Sequence, residues 1–184
     1  KTWVEALDKA DANYWHHLLE AAWVREGVNK FSAKLWRELA ASPEASARAA
    51  AYRLITHRWR ELPDALEVLA KGIADEHPQV RLWAMGALME VRQPKAIEIA
   101  LRALDKPMDE SLDFLLELIA REQTDVWLPL VLKGDLKLND NPKHLVYAMK
   151  ATGRSEGLKP LLASFRAGKL AAEDTSSVLA MAGD

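Results

Sequence analysis

The residues able to carry chemistry are few and widely spaced. His16 and His17 are adjacent in a stretch of helical periodicity, so their side chains project about 100° apart and cannot bind one metal ion from the same helix face. The sequence also lacks the HExxH spacing of zinc peptidases. The other histidines stand alone: His57, His77 and His144. We therefore predict no metal site, and we expect His77 to be a turn or cap residue.

Acidic residues could in principle act as general acids or bases. They cluster along one exposed stripe of a predicted helix: Asp109, Glu110, Asp113 and Glu117. Acid–base catalysis would need a pocket that shifts their pKa values, and the sequence does not indicate one. We favour a solvated face, or a contact with basic groups of a neighbouring domain. The sequence also contains no GxGxxG, GxxxxGK[ST] or GxSxG motif. We predict neither catalytic nor cofactor-binding residues in this chain.

Composition excludes further classes of site. The 184 residues include 25 basic and 27 acidic side chains and no cysteine. Disulfides, thiolate metal sites and CxxCH haem attachment are therefore excluded within this chain. The net charge of −2 argues against a nucleic-acid partner. No apolar run approaches the roughly 20 residues of a membrane span. Because the sequence begins at Lys1 and not at Met and has no signal-like hydrophobic stretch, we expect a processed product or an excised piece of a larger protein.

The longest polar connection covers residues 133–142. Its aspartate, asparagine and backbone carbonyl oxygens are ligands that calcium accepts, but the spacing does not match an EF-hand loop and the closing glutamate is missing. We expect an ordinary turn between helices.

The elements that would position any site are helices. Apolar residues recur at helical spacing from about residue 13 onwards, and Pro43, Pro63, Pro78 and Pro94 stand where new helices would begin. Asp109 is placed to cap another helix. Because β-branched residues do not alternate over five or more positions, we predict no strands. The pattern indicates about ten to eleven helices joined by short turns, which is an all-α fold.

One unit of this pattern repeats. Residues 47–55 align without a gap with residues 80–88, which places Arg48 and Arg81 in equivalent positions 33 residues apart. A period of this size built from paired helices predicts an α-solenoid of about five helix pairs. The ankyrin and tetratricopeptide signatures are absent.

Residues 77–88 resemble the second helix of a HEAT repeat, which typically opens with a Pro-like start, continues with Val-Arg and presents an Ala-rich face. Residues 42–54 resemble it with two extra turn residues. The resemblance implies an α–α superhelix in which Arg48 and Arg81 have a structural role, bonding carbonyls or acids of the neighbouring repeat. A ligand-facing arginine ladder is the alternative. We expect one HEAT-repeat domain over residues 1–184, regular at 13–122 and less regular, or a cap, at 123–184.

A more particular resemblance comes from residues 16–27, 59–66, 108–116 and 126–129. These stretches are similar to the HEAT region of large secreted proteins of planctomycetes and verrucomicrobia, in which a sugar-dehydrogenase-like propeller commonly precedes the HEAT segment and a c-type cytochrome domain follows it. The resemblance implies a bacterial, extracytoplasmic (periplasmic or secreted) parent chain with haem elsewhere in it. It assigns no catalytic residue here.

The chain has seven tryptophans. Four lie on apolar stripes and are predicted to be core plates between repeats: Trp15, Trp23, Trp36 and Trp83. Trp59 follows His57-Arg58 and precedes Arg60, so it is a candidate for an aromatic and cationic surface patch.

Together these features favour a non-catalytic scaffold for protein–protein or interdomain contacts, with an inner surface formed by residues 44–58, 78–91 and 110–121. We expect these residues to contact a partner: Arg53, His57, Trp59, Met85, Glu90, Asp113 and Glu117. A scaffold within a secreted oxidoreductase is the alternative. Some HEAT-like proteins are DNA glycosylases or bilin lyases, but the net charge argues against the first and no local motif supports the second.

Overall fold

The computed structural model describes residues 3–153, 158–168, 170 and 175–176. Within them, the α-helices are α1 Tyr14–Gly27, α2 Ala33–Ala40, α3 Ala45–Ile55, α4 Ala65–Ile73, α5 Pro78–Glu90, α6 Pro94–Leu101, α7 Glu110–Glu122, α8 Thr124–Lys133, α9 Pro142–Thr152 and α10 Leu158–Arg166. Short 3-10 helices cover Trp3–Ala6, Trp59–Glu61, Arg102–Asp105 and Leu138–Asp140. The described part contains no strand, so the predicted all-α fold is confirmed.

The chain divides into two compact units, Lys1–Glu90 and Val91–Asp184. The first contains α1 to α5 and the second α6 to α10. Each unit contains successive helix pairs, which is the arrangement of a HEAT-like α-solenoid.

The helix ends follow from the local sequence. Pro78 and Pro94 are the first residues of α5 and α6, where a missing amide hydrogen costs nothing. Asp109 caps α7, because its carboxylate accepts a hydrogen bond from the amide of Leu112 at 2.9 Å. Gly134 and Gly153 end α8 and α9 in the left-handed conformation, with φ of 82° and 60°.

In the first unit, α3 and α4 both pack against α5, and α2 packs against α3. Trp36 is 3% exposed, so its predicted place in the core is confirmed. Its indole N–H donates to the carbonyl of Ala51 at 2.6 Å, and its ring meets that of Tyr52 edge-on at 5.8 Å. The Tyr52 hydroxyl in turn donates to the carbonyl of Val68 at 3.1 Å. These bonds satisfy the polar atoms of both buried aromatic side chains.

The predicted core position of Trp23 is wrong, because this side chain is 45% exposed. The side chains of α1 that are buried are Tyr14, Leu18 and Ala21. Within the first unit α1 packs on α2 and α3 through that one stripe. Trp15 lies at its edge and is half-buried. A helix covered from one side leaves a second apolar stripe in solvent, and the sequence pattern alone did not distinguish the two.

In the second unit, α6 contacts both α7 and α8, and α7 packs against α9. Trp127 of α8 is completely buried, and its indole N–H donates to the carbonyl of Ala120 at 2.9 Å. Leu112, Leu116 and Ile119 form the fully buried stripe of α7. The core of this unit therefore lies between the facing sides of α6, α7, α8 and α9.

One helix crossing in the first unit depends on a residue without a side chain. A Cβ atom at Gly72 of α4 would lie 2.6 Å from the Cβ of Ala84 and 2.6 Å from the ring of Tyr52. Such distances are far below van der Waals contact, and both neighbours are buried. Gly72 therefore allows α4 to approach α3 and α5 closely. Gly86 of α5 is the opposite case, since a Cβ there would meet nothing within 4 Å.

We predict that Gly72→Ala lowers the free energy of unfolding by about 1–3 kcal/mol, because overpacking outweighs the better helix propensity of alanine. Gly86→Ala is the matched control and should raise it by about 0.5–1 kcal/mol, since alanine there improves propensity without a clash. Equilibrium urea unfolding of both variants measures the two effects. Equal changes in the two variants would contradict the close approach at Gly72.

Candidate functional site

Arg48 joins two successive helix pairs of the first unit. Its Nε and Nη2 atoms donate to the two carboxylate oxygens of Asp75 at 2.7 and 3.0 Å. Its Nη1 donates to the carbonyls of Ser42 and Pro43, in the turn before its own helix. Burial alone would raise the pKa of Asp75, but the hydrogen bonds from Arg48 and from the His77 amide lower it below the usual value. The pair is mostly buried and bidentate, which is the strongest form of such a contact.

Arg81 repeats part of this arrangement. Its Nη1 donates to the carbonyls of Asp75 and Glu76 at 3.0 and 2.9 Å, again in the turn before its own helix. Arg81 is 2% exposed, so its side chain is buried in the protein. His77 lies in the same turn, where its ring nitrogen accepts from the amide of Gln79 at 3.3 Å, as expected of a cap residue.

The exposed sides of α3, with the turn that follows it, and of α5 form one surface, which we call the α3–α5 face. It consists of two stripes, Ser46, Ala50, Arg53 and His57, and Gln79, Trp83, Gly86 and Glu90. Each residue of the second stripe lies 33 positions after its equivalent in the first. Arg53, His57 and Glu90 are exposed, as expected of candidate partner residues.

A cation–π contact lies at the centre of this face. The guanidinium carbon of Arg53 lies over the ring of Trp83, 5.1 Å from its centroid. Trp83 is half-buried, so only part of its side chain has the predicted place in the core and the rest reaches the surface. Small residues stand at the positions equivalent to these two, Ala50 and Gly86, and they leave room for the large ones.

The prediction that Met85 contacts a partner is wrong, because Met85 is completely buried. Both α3 and α4 pack on α5, so the buried arc of this helix is wider than the apolar spacing indicated. That arc includes Arg81 and Met85 and leaves Trp83 at its edge.

Trp59 is half-buried in its 3-10 helix and is separate from the α3–α5 face as defined above. The guanidinium carbon of Arg60 lies over its ring, 4.3 Å from the centroid. The preceding Arg58 is held by Glu26 and Glu61, each at 3.0 Å. An aromatic side chain and a cation therefore do adjoin here, and their role toward a partner stays a prediction.

In the second unit, Asp113 and Glu117 of α7 line an open cleft of about 360 Å³ with Tyr147 and Lys150 of α9. The Tyr147 hydroxyl donates to the carboxylate of Asp113 at 2.9 Å. Burial, with the neighbouring Asp113 carboxylate, raises the pKa of Tyr147. Glu117 pairs with Arg121 at 3.2 Å. Both predicted acids are exposed, and Tyr147 is a neighbour that sequence spacing did not reveal, because it lies 34 residues from Asp113.

His144 does not stand alone as the sequence suggested. It is 1% exposed and belongs to a cluster with Asp105, Asn139 and Glu98, which we call the His144 cluster. Its Nε2 lies 3.1 Å from a carboxylate oxygen of Asp105, and its Nδ1 lies 3.1 Å from the side-chain nitrogen of Asn139. That amide nitrogen also donates to the Glu98 carbonyl at 2.7 Å. Because Asp105 accepts and Asn139 donates, the ring is neutral with its hydrogen on Nε2.

The cluster holds an unusual turn. Leu138, Asn139 and Asp140 all have left-handed backbone conformations, with φ of 49°, 63° and 51°. This conformation is costly for leucine in particular. The buried carboxylate of Glu98 accepts a hydrogen bond from the backbone amide of Asn139 at 3.4 Å and forms an ion pair with Lys95. Residues 133–142 are therefore more than an ordinary turn, and they form part of the lining of an open groove of about 730 Å³.

Metal-binding clusters are not found among the residues that the structure describes. His16 and His17 are instead near single carboxylates, those of Glu20 at 3.8 Å and Asp11 at 3.9 Å. In the same part of the chain, no helix is long and apolar enough to span a membrane.

The His144 cluster predicts a pH dependence of stability. Burial lowers the pKa of His144, and the Asp105 carboxylate offsets this only in part. As pH falls below the ordinary histidine pKa of about 6.5, the unfolded chain binds a proton that the folded chain does not, so stability falls. His144→Gln should remove this component, which is at most about 1.4 kcal/mol per pH unit. Urea unfolding between pH 7.5 and roughly 5 tests it. The other four histidines are common to both proteins, and parallel pH profiles would refute the assignment.

Comparison with known proteins supports the architecture. A family model described as HEAT repeats matches residues 33–112, from α2 into α7. No curated protein and no solved structure matched the chain. Residues 33–112 are thus similar to HEAT repeats, and the part of the chain that the structure describes has an all-helical fold of the HEAT-like α-solenoid class.

Proposed function

We propose that the chain is a non-catalytic scaffold that binds a protein partner or another protein domain through the α3–α5 face. HEAT repeats are generally scaffolds for protein interactions, and repeat proteins bind along the exposed side of successive helices. The observation that carries the proposal is the Arg53–Trp83 pair on that face.

The composition of this face fits a contact surface. Tryptophan and arginine are the residues most enriched at the energetic centres of protein interfaces. Here they are stacked on one another, at the middle of two stripes whose remaining members are small or polar. A large aromatic ring that is only half-buried gains more from burial under a partner than a small side chain does.

The perturbed polar groups support a structural role. Asp75 and Glu98 have lowered pKa values because arginine, lysine and backbone donors hold their carboxylates, in each case at a turn. His144 is neutral and bonded through both ring nitrogens. The hydrogen bonds of these groups fix the backbone at the turns, and a rigid backbone is what a scaffold needs.

A second proposal concerns the setting. We propose that the partner is another domain of a longer, extracytoplasmic parent chain that carries haem and a dehydrogenase-like propeller. Its support is the resemblance of residues 16–27, 59–66, 108–116 and 126–129 to the HEAT region of such proteins. The present residues cannot attach haem covalently through a CxxCH motif, because the chain contains no cysteine.

Site-specific photo-crosslinking in the native host tests the first proposal. A benzoylphenylalanine at Gln79, exposed on the α3–α5 face, should form one dominant protein adduct. The matched control carries the same group at Glu67, an exposed residue on α4, and should form little. Adding Trp83→Ala should reduce the Gln79 adduct about tenfold or more, as expected of a residue at an interface centre. Equal adducts at the two positions, or no effect of Trp83→Ala, would contradict the proposed face.

The identity of the adduct separates the two settings. A crosslink within a native chain far heavier than 20.6 kDa, with a Soret absorption band, supports the haem-containing parent. A crosslink to a separate protein, with no chromophore in the native material, leaves the scaffold proposal intact and rejects that setting.

A further inference from the structure

We infer that the α3–α5 face receives a carboxylate side chain of its partner, bound by the guanidinium group of Arg53. The inference rests on the proposed function, because it names the chemistry of the partner at the same face.

Arg53 differs from the ion-paired arginines of the first unit. Arg37 is paired with Asp64 at 2.6 Å, Arg48 with Asp75 and Arg58 with Glu26. Within the part of the chain that the structure describes, Arg53 has no carboxylate partner, and its recorded contact is the ring of Trp83. Its guanidinium donors therefore remain available to a ligand on the exposed face.

The stacking on Trp83 also prepares Arg53 for binding. A free arginine side chain loses considerable rotamer entropy when it is fixed, and the ring already holds this one in place. The N–H groups of a guanidinium lie along its edge, so a cation–π contact does not use them up, and they match the two oxygens of a carboxylate. A phenyl or methyl group from the partner could not use those donors and would leave them unpaired.

The surroundings provide room and set the position of the bound acid. Gly86 is the equivalent of Arg53 in the next stripe, and a Cβ there would meet nothing within 4 Å. The charged and titratable side chains of the face are Arg53 on α3, His57 in the turn after α3 and Glu90 on α5. Glu90 lies at the carboxyl end of its stripe and disfavours an acid there. The partner carboxylate therefore lies beside Arg53 and Gly86, with its apolar neighbours against the part of the Trp83 side chain that Arg53 leaves exposed.

Two small probes test this recognition directly. They are the peptides acetyl-Leu-Glu-Leu-amide and acetyl-Leu-Gln-Leu-amide, titrated into the whole chain while the side-chain N–H signals of Arg53 and Trp83 are followed by NMR. We expect the glutamate peptide to shift both signals and to bind about fivefold more tightly than the glutamine peptide, the gain of one exposed charge pair. Added salt should reduce the difference. Arg53→Gln, an exposed substitution, should abolish it, and its amide spectrum shows whether the fold is kept.

The Arg60–Trp59 pair is an internal control, because it is also a cation–π contact and lies outside the α3–α5 face. Its signals should move much less. The inference is overturned if both peptides bind equally, if the two arginine–tryptophan pairs respond alike, or if no signal moves up to roughly 10 mM peptide. Any of these results leaves the photo-crosslink at Gln79 to decide the scaffold function on its own. Loss of that crosslink would reject the scaffold function itself.

Discussion

The bidentate contact between Arg48 and Asp75 is the constraint on which the first unit depends. It joins the start of α3 to the turn before α5, and the same guanidinium also satisfies two carbonyls of the turn before α3. Helix packing by ridges and grooves would tolerate several registers. A contact in which a planar guanidinium donates two hydrogen bonds to one carboxylate tolerates only one register. The register that it selects places Arg53 over Trp83 and gives the exposed face its composition.

In both units, buried polar groups must find partners where helices pack closely, and the two units use different residues to do this. In the first unit, the missing side chain of Gly72 leaves space for the buried ring of Tyr52 and lets α3, α4 and α5 approach closely. In the second, a neutral histidine and an asparagine hold a left-handed turn against α6. Both arrangements bury polar groups, and in both the described polar atoms find partners across sequence separations of 16 to 41 residues. The cost of desolvation is offset by complete pairing, which also fixes the geometry.

Much of the fold was accessible from the sequence because helix ends are coded locally. Pro78, Pro94 and Asp109 act within one turn of where they stand, and the 33-residue alignment identified the equivalent arginines. Burial was less accessible, because it depends on how many helices cover a given one. Met85 became core since two neighbours pack on α5, and Trp23 became exposed since α1 is covered from one side. Local sequence patterns do not show how many helices will pack on a given helix.

In the candidate site, too, positions along a helix could be predicted from the sequence, but contacts between helices could not. The stripe positions of Arg53, His57 and Glu90 followed from helical periodicity, whereas the stacking of Arg53 on Trp83 required the register between helices. The His144 cluster was missed because two of its bonds, His144 to Asp105 and Asn139 to Glu98, join residues 39 and 41 positions apart. One signal was present: residues 139–141 are Asn-Asp-Asn, and these residue types tolerate a left-handed backbone better than most.

A double-mutant cycle between Arg48 and Asp75 tests the central claim most directly. The free energy of unfolding is measured for the parent chain, Arg48→Ala, Asp75→Ala and the double variant, so that the hydrogen bond that the His77 amide donates to Asp75 cancels. We predict a coupling free energy of about 1.5–3 kcal/mol, as for partly buried charged hydrogen bonds. A coupling below about 0.5 kcal/mol, the range of exposed ion pairs, would show that some other contact sets the register of the two helix pairs.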